Sequence, residues 1–315
     1  MGRRLRFLPP DSLVEVTCRT LQGRLLLKPT PWIADLCRGA LARAARLYPV
    51  EIHAFVFLGN HYHLLLTASS AARLAAFMNH LNSSLAREVG RAVGWRERFW
   101  GRRYQAIPVT AEPAAQLERL RYLLSHGCKE NLVRRPDDWP GASAVRSLRT
   151  GEPISGTRVD RTSLYRAARK RAPTDAQDYL SRESLELIPL PCWRGLGPED
   201  RRARIADLLG AIETDATRSL RAAGREPLGR SRLQTQDPHQ APNRIARRPA
   251  PLVHAASKAI RNAWRQAYRR FVHAFRMASA RFRRGAGLDA LLELFPVGSF
   301  LPPGPFVGQA EFVSD

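Results

Sequence analysis

No run of about 18 apolar residues occurs in the 315-residue chain, so the sequence offers no membrane-spanning helix. Cysteine is scarce: Cys18, Cys37, Cys128 and Cys192 lie far apart with no C-x-x-C pair, which fits neither a disulfide framework nor a zinc ribbon. A phosphate-cradling GxxxxGK[ST] loop is missing, so chemistry driven by nucleotide hydrolysis is not expected. There is no internal repeat, and the basic start MGRRLRFLPP is followed by no apolar stretch of signal-peptide length. These absences lead to the expectation of a chain that is not exported and works in a reducing cytoplasm.

What is present is a core and a large positive charge. Hydrophobic residues make up 44%, enough for a packed interior, and 51 Lys and Arg against 28 Asp and Glu leave a formal net charge of +23. The excess is spread along the chain. Residues 1–150 carry 23 basic and 11 acidic side chains, and residues 151–315 carry 28 and 17. Such an imbalance repels itself unless a polyanion is near, and most of the cations are Arg, whose planar fork suits phosphate and stacks on bases. A nucleic-acid partner and a nucleoid-associated location are therefore expected, with no membrane partner.

Along the chain, residues 12–28 alternate around Val14, Val16 and Cys18 and turn near Gly23, which predicts a strand or a hairpin. Residues 31–48 place Ile33, Leu36, Cys37, Ala40, Leu41, Ala44 and Leu47 at helical spacing behind Thr30 and Pro31. Two apolar runs, 50–58 and 61–67, flank Gly59 and Asn60 and predict adjacent antiparallel strands. A helix over 71–93, a strand over 99–109 and a helix over 112–127 follow. This order predicts an α+β fold of about 130 residues, an antiparallel sheet with helices on one face. Residues 150–222 mix short helical pieces such as 199–222 with connectors, 223–251 has the composition of a linker, and 252–284 is a long candidate helix.

The chemistry-bearing signal is Asn60-His61-Tyr62-His63. Side chains at i and i+2 of a strand leave the same face, so His61 and His63 present two imidazoles that can share a divalent ion. The same spacing also arises in purely structural strands. Downstream, Tyr122 and His126 stand four apart on a predicted helix and hence on one side of it. If that helix packs over the sheet, His126 supplies a third ligand and Tyr122 a phenol beside the ion, the parts of a phosphodiester-transfer site. The plainer readings are that Tyr122 packs with Leu120, Leu123 and Leu124, and that His126 complements a helix C-terminus. Tyr104, between Arg103 and Gln105 in a predicted strand, is the competing nucleophile.

These stretches resemble a known family. HAFVFLGNHYHLLLT is similar to the His-hydrophobe-His (HUH) motif of the tyrosine transposases of small insertion sequences. FWGRRYQAIPV with LRYLLSHGCKENLVRRPDDWPGAS resembles the REP-associated tyrosine transposases. The resemblance spans residues 12–146. It implies a ferredoxin-like sheet, single-stranded or hairpin DNA as partner, and Mg²⁺ or Mn²⁺ as cofactor. It also implies His61 and His63 as metal ligands, with Tyr122 as the nucleophile that forms a 5′-phosphotyrosine. His126 would take the position where relatives carry Asn or Gln. SHGCKENLV departs from the usual NPVRAGLV, and an imidazole there favours Mn²⁺ or another transition metal over Mg²⁺. Relatives include both monomers and homodimers that exchange tyrosine helices, so either state is compatible.

The expected organisation is a catalytic domain over 1–149, a helical extension over 150–222, a linker over 223–251 and a basic helical region over 252–315. Between Asp237 and Asp289 there is no acidic residue but twelve Lys or Arg, including Arg244, Arg247, Arg248, Lys258, Arg261, Arg265, Arg269 and Arg270. This marks an accessory DNA-binding appendage. Arg102, Arg103, Arg121, Arg261, Arg265 and Arg269 are the candidate DNA contacts, and Trp264, Tyr268 and Phe271 either pack the helix onto the body, the plainer role, or stack on unpaired bases. The alternative function is a DNA-binding protein of the same fold that does not cleave. A metal hydrolase of small substrates fits the basic surface poorly.

Overall fold

The computed structural model describes residues 4–170, 175–242, 250–285 and 291–301. Its first half runs β1 (Ser12–Arg19), α1 (Pro31–Leu47), β2 (Glu51–Leu58), β3 (His61–Ala68), α2 (Ala71–Ala92), β4 (Gln105–Pro108), α3 (Pro113–Leu124) and α4 (His126–Lys129). The strands form one sheet in the order β2-β3-β1-β4 with every neighbouring pair antiparallel. This is the ferredoxin-like arrangement of a βαββαβ unit, as the sequence predicts.

The local causes are the ones the sequence carries. Pro31 opens α1, and the Thr30 hydroxyl accepts from Ile33 N at 3.4 Å; Ser70 caps α2 by accepting from Arg73 N at 3.1 Å. β3 is buried along its whole length because both faces of the sheet are covered. On the face of Tyr62, Leu64 and Leu66 lie α1 and α2, with the Tyr62 hydroxyl donating to Asn82 Oδ1 of α2 at 2.7 Å. On the other face, which carries His61 and His63, α3 and α4 close over β2 and β3.

Two predicted strands are shorter than their patterns. Residues 25–27 do not pair back on β1, because Gln22 and Gly23 both adopt left-handed backbone (φ 54° and 70°) and throw the chain across to Gly59, whose carbonyl accepts from Leu27 N. Only Gln105–Pro108 of the 99–109 run forms a ladder; Trp100 instead bridges Thr20, and Gly101 N donates to Arg19 O.

Beyond β4 lie α5 (Val145–Thr150), β5 (Ile154–Val159), α6 (Arg161–Arg169), β6 (Leu180–Leu185), α7 (Pro198–Ala223), α8 (Arg230–Thr235) and α9 (Lys258–Arg283). The 150–222 stretch, expected to be helical, also holds the β5–β6 hairpin, packed on α1. Its strands, ISGTRV and LSRESL, are short and polar, so alternation gives no signal. The approach to α1 is backbone on backbone: a Cβ on Gly39 would sit 2.1 Å from Thr157 O. The segment expected as a linker holds α8, with Leu233 buried, and Leu25 N and Leu228 N donate to Gln240 O and Asn131 O. Arg244, Arg247 and Arg248 lie outside the described residues.

α9 is docked rather than detached. Glu112 accepts from Ala256 N and Ser257 N, both at 2.9 Å, Phe7 stacks on Phe271 at 4.5 Å, and the Tyr268 hydroxyl donates to Leu5 O. Among the described residues no helix is long and apolar enough to cross a membrane.

Candidate active site

Antiparallel pairing sets Thr17 opposite His63 and Glu15 opposite Leu65, so these two polar residues of β1 share the histidine face while Val14, Val16 and Cys18 share the face of Tyr62, Leu64 and Leu66. α3 brings Tyr122 over that face, and the short turn at Ser125 carries His126 into the same space. The ring centroids of His61, His63 and His126 are 4.6–5.1 Å apart, and Tyr122 lies 5.6 Å from His63 and 5.2 Å from His126. One nitrogen from each imidazole falls within 4.8 Å of the other two. The structure thus converges all four residues singled out in the sequence.

The outer nitrogens define what the inner ones can do. His61 Nδ1 meets Asn60 Oδ1 at 2.6 Å, and His63 Nδ1 meets Glu15 Oε1 at 2.9 Å and Thr17 Oγ1 at 3.1 Å. Acceptors at Nδ1 fix the Nδ1–H tautomer and leave both Nε2 atoms as lone-pair donors, the arrangement by which outer-shell partners orient metal-binding histidines. His126 Nε2 lies 3.1 Å from His61 Nε2, and its Nδ1 is buried with no hydrogen-bond partner among the described residues. Two imidazole nitrogens aimed at one another satisfy themselves only if one donates; a shared cation removes that conflict. The residues present therefore fit a divalent ion held by three nitrogen donors.

Electrostatics favour the ligand form. Burial, then the neighbouring His63 and His126, holds His61 well below the usual imidazole range, and burial together with His63 and Lys129 pushes His126 down to about 3. Burial likewise opposes ionisation of Glu15, but the adjacent imidazoles of His254 and His63 outweigh it and hold the carboxyl well below its ordinary range. The Tyr122 phenol is raised, first by burial and then by Glu15. Two cations flank its ring, the Arg119 guanidinium 4.8 Å and the Lys129 ammonium 4.6 Å from the centroid. Tyr122 is half-buried and Lys129 exposed, so this side of the cluster reaches the surface.

Tyr104 lies elsewhere. Its ring sits under the Arg6 guanidinium at 4.8 Å, beside Cys18 and Tyr62 on the opposite face of the sheet. Arg102 and Arg103 are exposed, whereas Arg121 turns from the site to an ion pair with Asp215 of α7. Arg261, Arg265 and Arg269 are exposed on α9 with no carboxylate partner among the described residues, and Trp264, Tyr268 and Phe271 pack toward Phe7. Sequence reasoning missed Glu15, Thr17, Arg119, Lys129 and His254. A Glu within an otherwise apolar strand was a visible signal for Glu15; His254 gave none.

Residues 28–122 match the profile of the family described as "Transposase IS200 like". The resemblance read from the motifs is thereby shown, over a segment that holds His61, His63 and Tyr122. Among solved structures, a REP-associated tyrosine transposase bound to a REP hairpin is similar at 19% identity. That match covers 48% of this chain and 87% of that one, with a TM-score of 0.41. A protein of Deinococcus radiodurans R1, provisionally assigned as a transposase, is 21% identical over 38% of this chain and 93% of its own, with a TM-score of 0.28. Neither likeness is close enough to carry a function across. No curated protein matches the chain.

Proposed function

We propose that this chain is a metal-dependent tyrosine transposase that nicks and rejoins single-stranded, hairpin-bearing DNA. One observation carries the reading: His61, His63 and His126 from a strand and a helical turn meet Tyr122 on one buried sheet face. The three histidines would hold the ion, and an all-nitrogen donor set favours Mn²⁺ or another transition metal over Mg²⁺. Bound there, a divalent ion supplies Lewis-acid polarisation of the scissile phosphate.

The rest falls to the chain's own residues. Tyr122 Oη forms a bond to phosphorus as the bond to the 3′ oxygen breaks. The phenol proton passes to solvent and the departing 3′ oxygen takes one up, leaving a 5′-phosphotyrosine and a free 3′-hydroxyl. Arg119, over the ring, favours the phenolate and opposes in part the burial that disfavours it, while Lys129 adds a second cation beside the ring. Reversal by a returning 3′-hydroxyl conserves the bond energy, in keeping with the missing nucleotide loop.

For the DNA contacts, Arg102 and Arg103 serve as exposed phosphate ligands, while Arg121 reaches DNA only by leaving Asp215. About 100° of turn per helical residue sets Lys258, Arg261, Arg265, Arg269, Arg276 and Arg283 within a sector of about 80° on α9. This one-signed stripe suits a phosphate backbone.

Incubation with hairpin-bearing single-stranded DNA and Mn²⁺ tests the reading. A covalent adduct is expected, lost in Tyr122→Phe with Mn²⁺ affinity kept within about twofold. An adduct that survives Tyr122→Phe ends the assignment, and binding without cleavage by the wild type leaves only a DNA-binding protein on this fold.

A further inference from the structure

His254 lies far beyond Tyr122 in sequence and outside the segment that matches the transposase profile. Its backbone is pinned to the edge of β4: His254 N donates to Pro108 O at 2.9 Å, and Thr110 N donates to His254 O at 3.0 Å. Val253 beside it is buried, and the following residues are held by Glu112. From this anchorage the ring reaches across β4 to β1, where Nε2 lies 2.9 Å from Glu15 Oε2. The other oxygen of the same carboxylate lies 2.9 Å from His63 Nδ1.

A single buried carboxylate is thus bracketed by two imidazoles, one from the histidine pair of β3 and one from the C-terminal segment. The third neighbour, Arg119 Nη1, stands off at 3.6 Å from Oε2. Nε2 of His254 lies against Oε2 but out of line for a well-directed hydrogen bond, so its effect is on the orientation of the carboxylate more than on a single bond. A carboxylate tied at one oxygen turns about its last torsion. A partner at the second oxygen fixes its plane, and with it the lone pair offered to His63 Nδ1–H.

We propose that His254 is a positioning residue of the metal centre. It fixes the plane of Glu15, Glu15 holds His63 as the Nδ1–H tautomer with Nε2 turned inward, and the C-terminal segment is thereby a working part of the site and not a detachable DNA-binding arm. This rests on the reading of His61, His63 and His126 as metal ligands. It follows that changes which lift the 250–257 segment off β4 act on the metal centre without touching any ligand.

The test uses His254→Phe and His254→Gln in the full chain, with Mn²⁺ binding measured by calorimetry and the His63 tautomer by ¹⁵N NMR of the metal-free protein. Phe keeps the bulk but has no donor; it should weaken Mn²⁺ binding about tenfold, the low end for loss of an outer-shell partner, and mix the His63 tautomers. Gln keeps an N–H donor and should stay within about threefold of the wild type with the tautomer intact. A folded Phe variant with wild-type affinity and an unchanged tautomer overturns the proposal, since His254 then only fills space. If the Phe variant does not fold, the Gln variant decides: loss of affinity or of the tautomer in a folded Gln variant refutes the donor argument. A wild type that takes up no Mn²⁺ refutes the metal reading instead, and the tautomer comparison in metal-free protein still judges His254.

Discussion

Replacing Glu15 with Gln should weaken both the fold and the metal site. The carboxylate is 6% exposed and faces the His63 and His254 imidazoles and the Arg119 guanidinium. Gln is nearly isosteric but offers one acceptor oxygen and one NH₂, so it cannot turn an oxygen to His63 and to His254 together. One buried donor is left facing another, at a cost of about 1–3 kcal/mol. Loss of the carboxylate behind His63 should also lower Mn²⁺ affinity by about 10- to 100-fold, or about 1.4–2.7 kcal/mol. Urea denaturation of metal-free protein reads the first and calorimetry the second. Because the folded carboxyl is held below its ordinary value of 4.5, the stability it contributes is present above that value and fades as pH falls through the lowered one. The gap between wild type and variant should therefore be constant near neutrality and close in acid. Equal stability and equal Mn²⁺ affinity at pH 7 would refute the argument that this carboxylate organises the site.

Other expectations follow from the same geometry. His126, titrating near 3 when folded and near its ordinary 6.5 when unfolded, makes metal-free protein lose about 1.4 kcal/mol of stability per pH unit as pH falls through that window. His126→Asn should flatten the slope by one proton's worth, and an unchanged slope in urea titrations at several pH values contradicts the burial argument. Reversing charge at Arg261, Arg265 and Arg269 together should weaken DNA binding and reduce the magnitude of its log–log salt slope by about 0.9 for each phosphate that these side chains no longer neutralise. A salt slope equal to that of the wild type removes α9 from the DNA interface. Gly39→Ala should destabilise the chain by at least about 1–3 kcal/mol, since its Cβ would meet the Thr157 carbonyl at 2.1 Å and α1 would have to part from β5. A melting temperature within a degree of the wild type would mean that the hairpin does not hold that position.

The half of the fold that positions the site was legible because its signals are local. Periodicity, the Thr30-Pro31 cap and the Gly59-Asn60 turn each act within a few residues, and together they imply βαββαβ. The β5–β6 hairpin was not legible, since its strands pack one side on α1, keep polar residues throughout and depend on two glycines meeting across the interface. The apparent linker was misleading for a related reason: Pro- and Arg-rich composition looks solvated, yet Leu233 of α8 is buried in the core and Leu228 packs against it.

At the site the division is equally physical. His61 and His63 share a face because a strand has period two, and Tyr122 and His126 share a side because a helix has period 3.6; both facts belong to the sequence alone. That the two pairs meet depends on α3 lying over the sheet face opposite α1 and α2, which is a packing choice among distant elements. Glu15 and Thr17 join them only through the register of β1 on β3, where a slip of one residue would turn both to the opposite face of the sheet. His254 arrives only because a late segment of chain lies along the β4 edge. Local backbone geometry thus determined which groups are paired, and tertiary packing decided which pairs converge, because contacts between residues far apart in sequence leave no periodic trace in it.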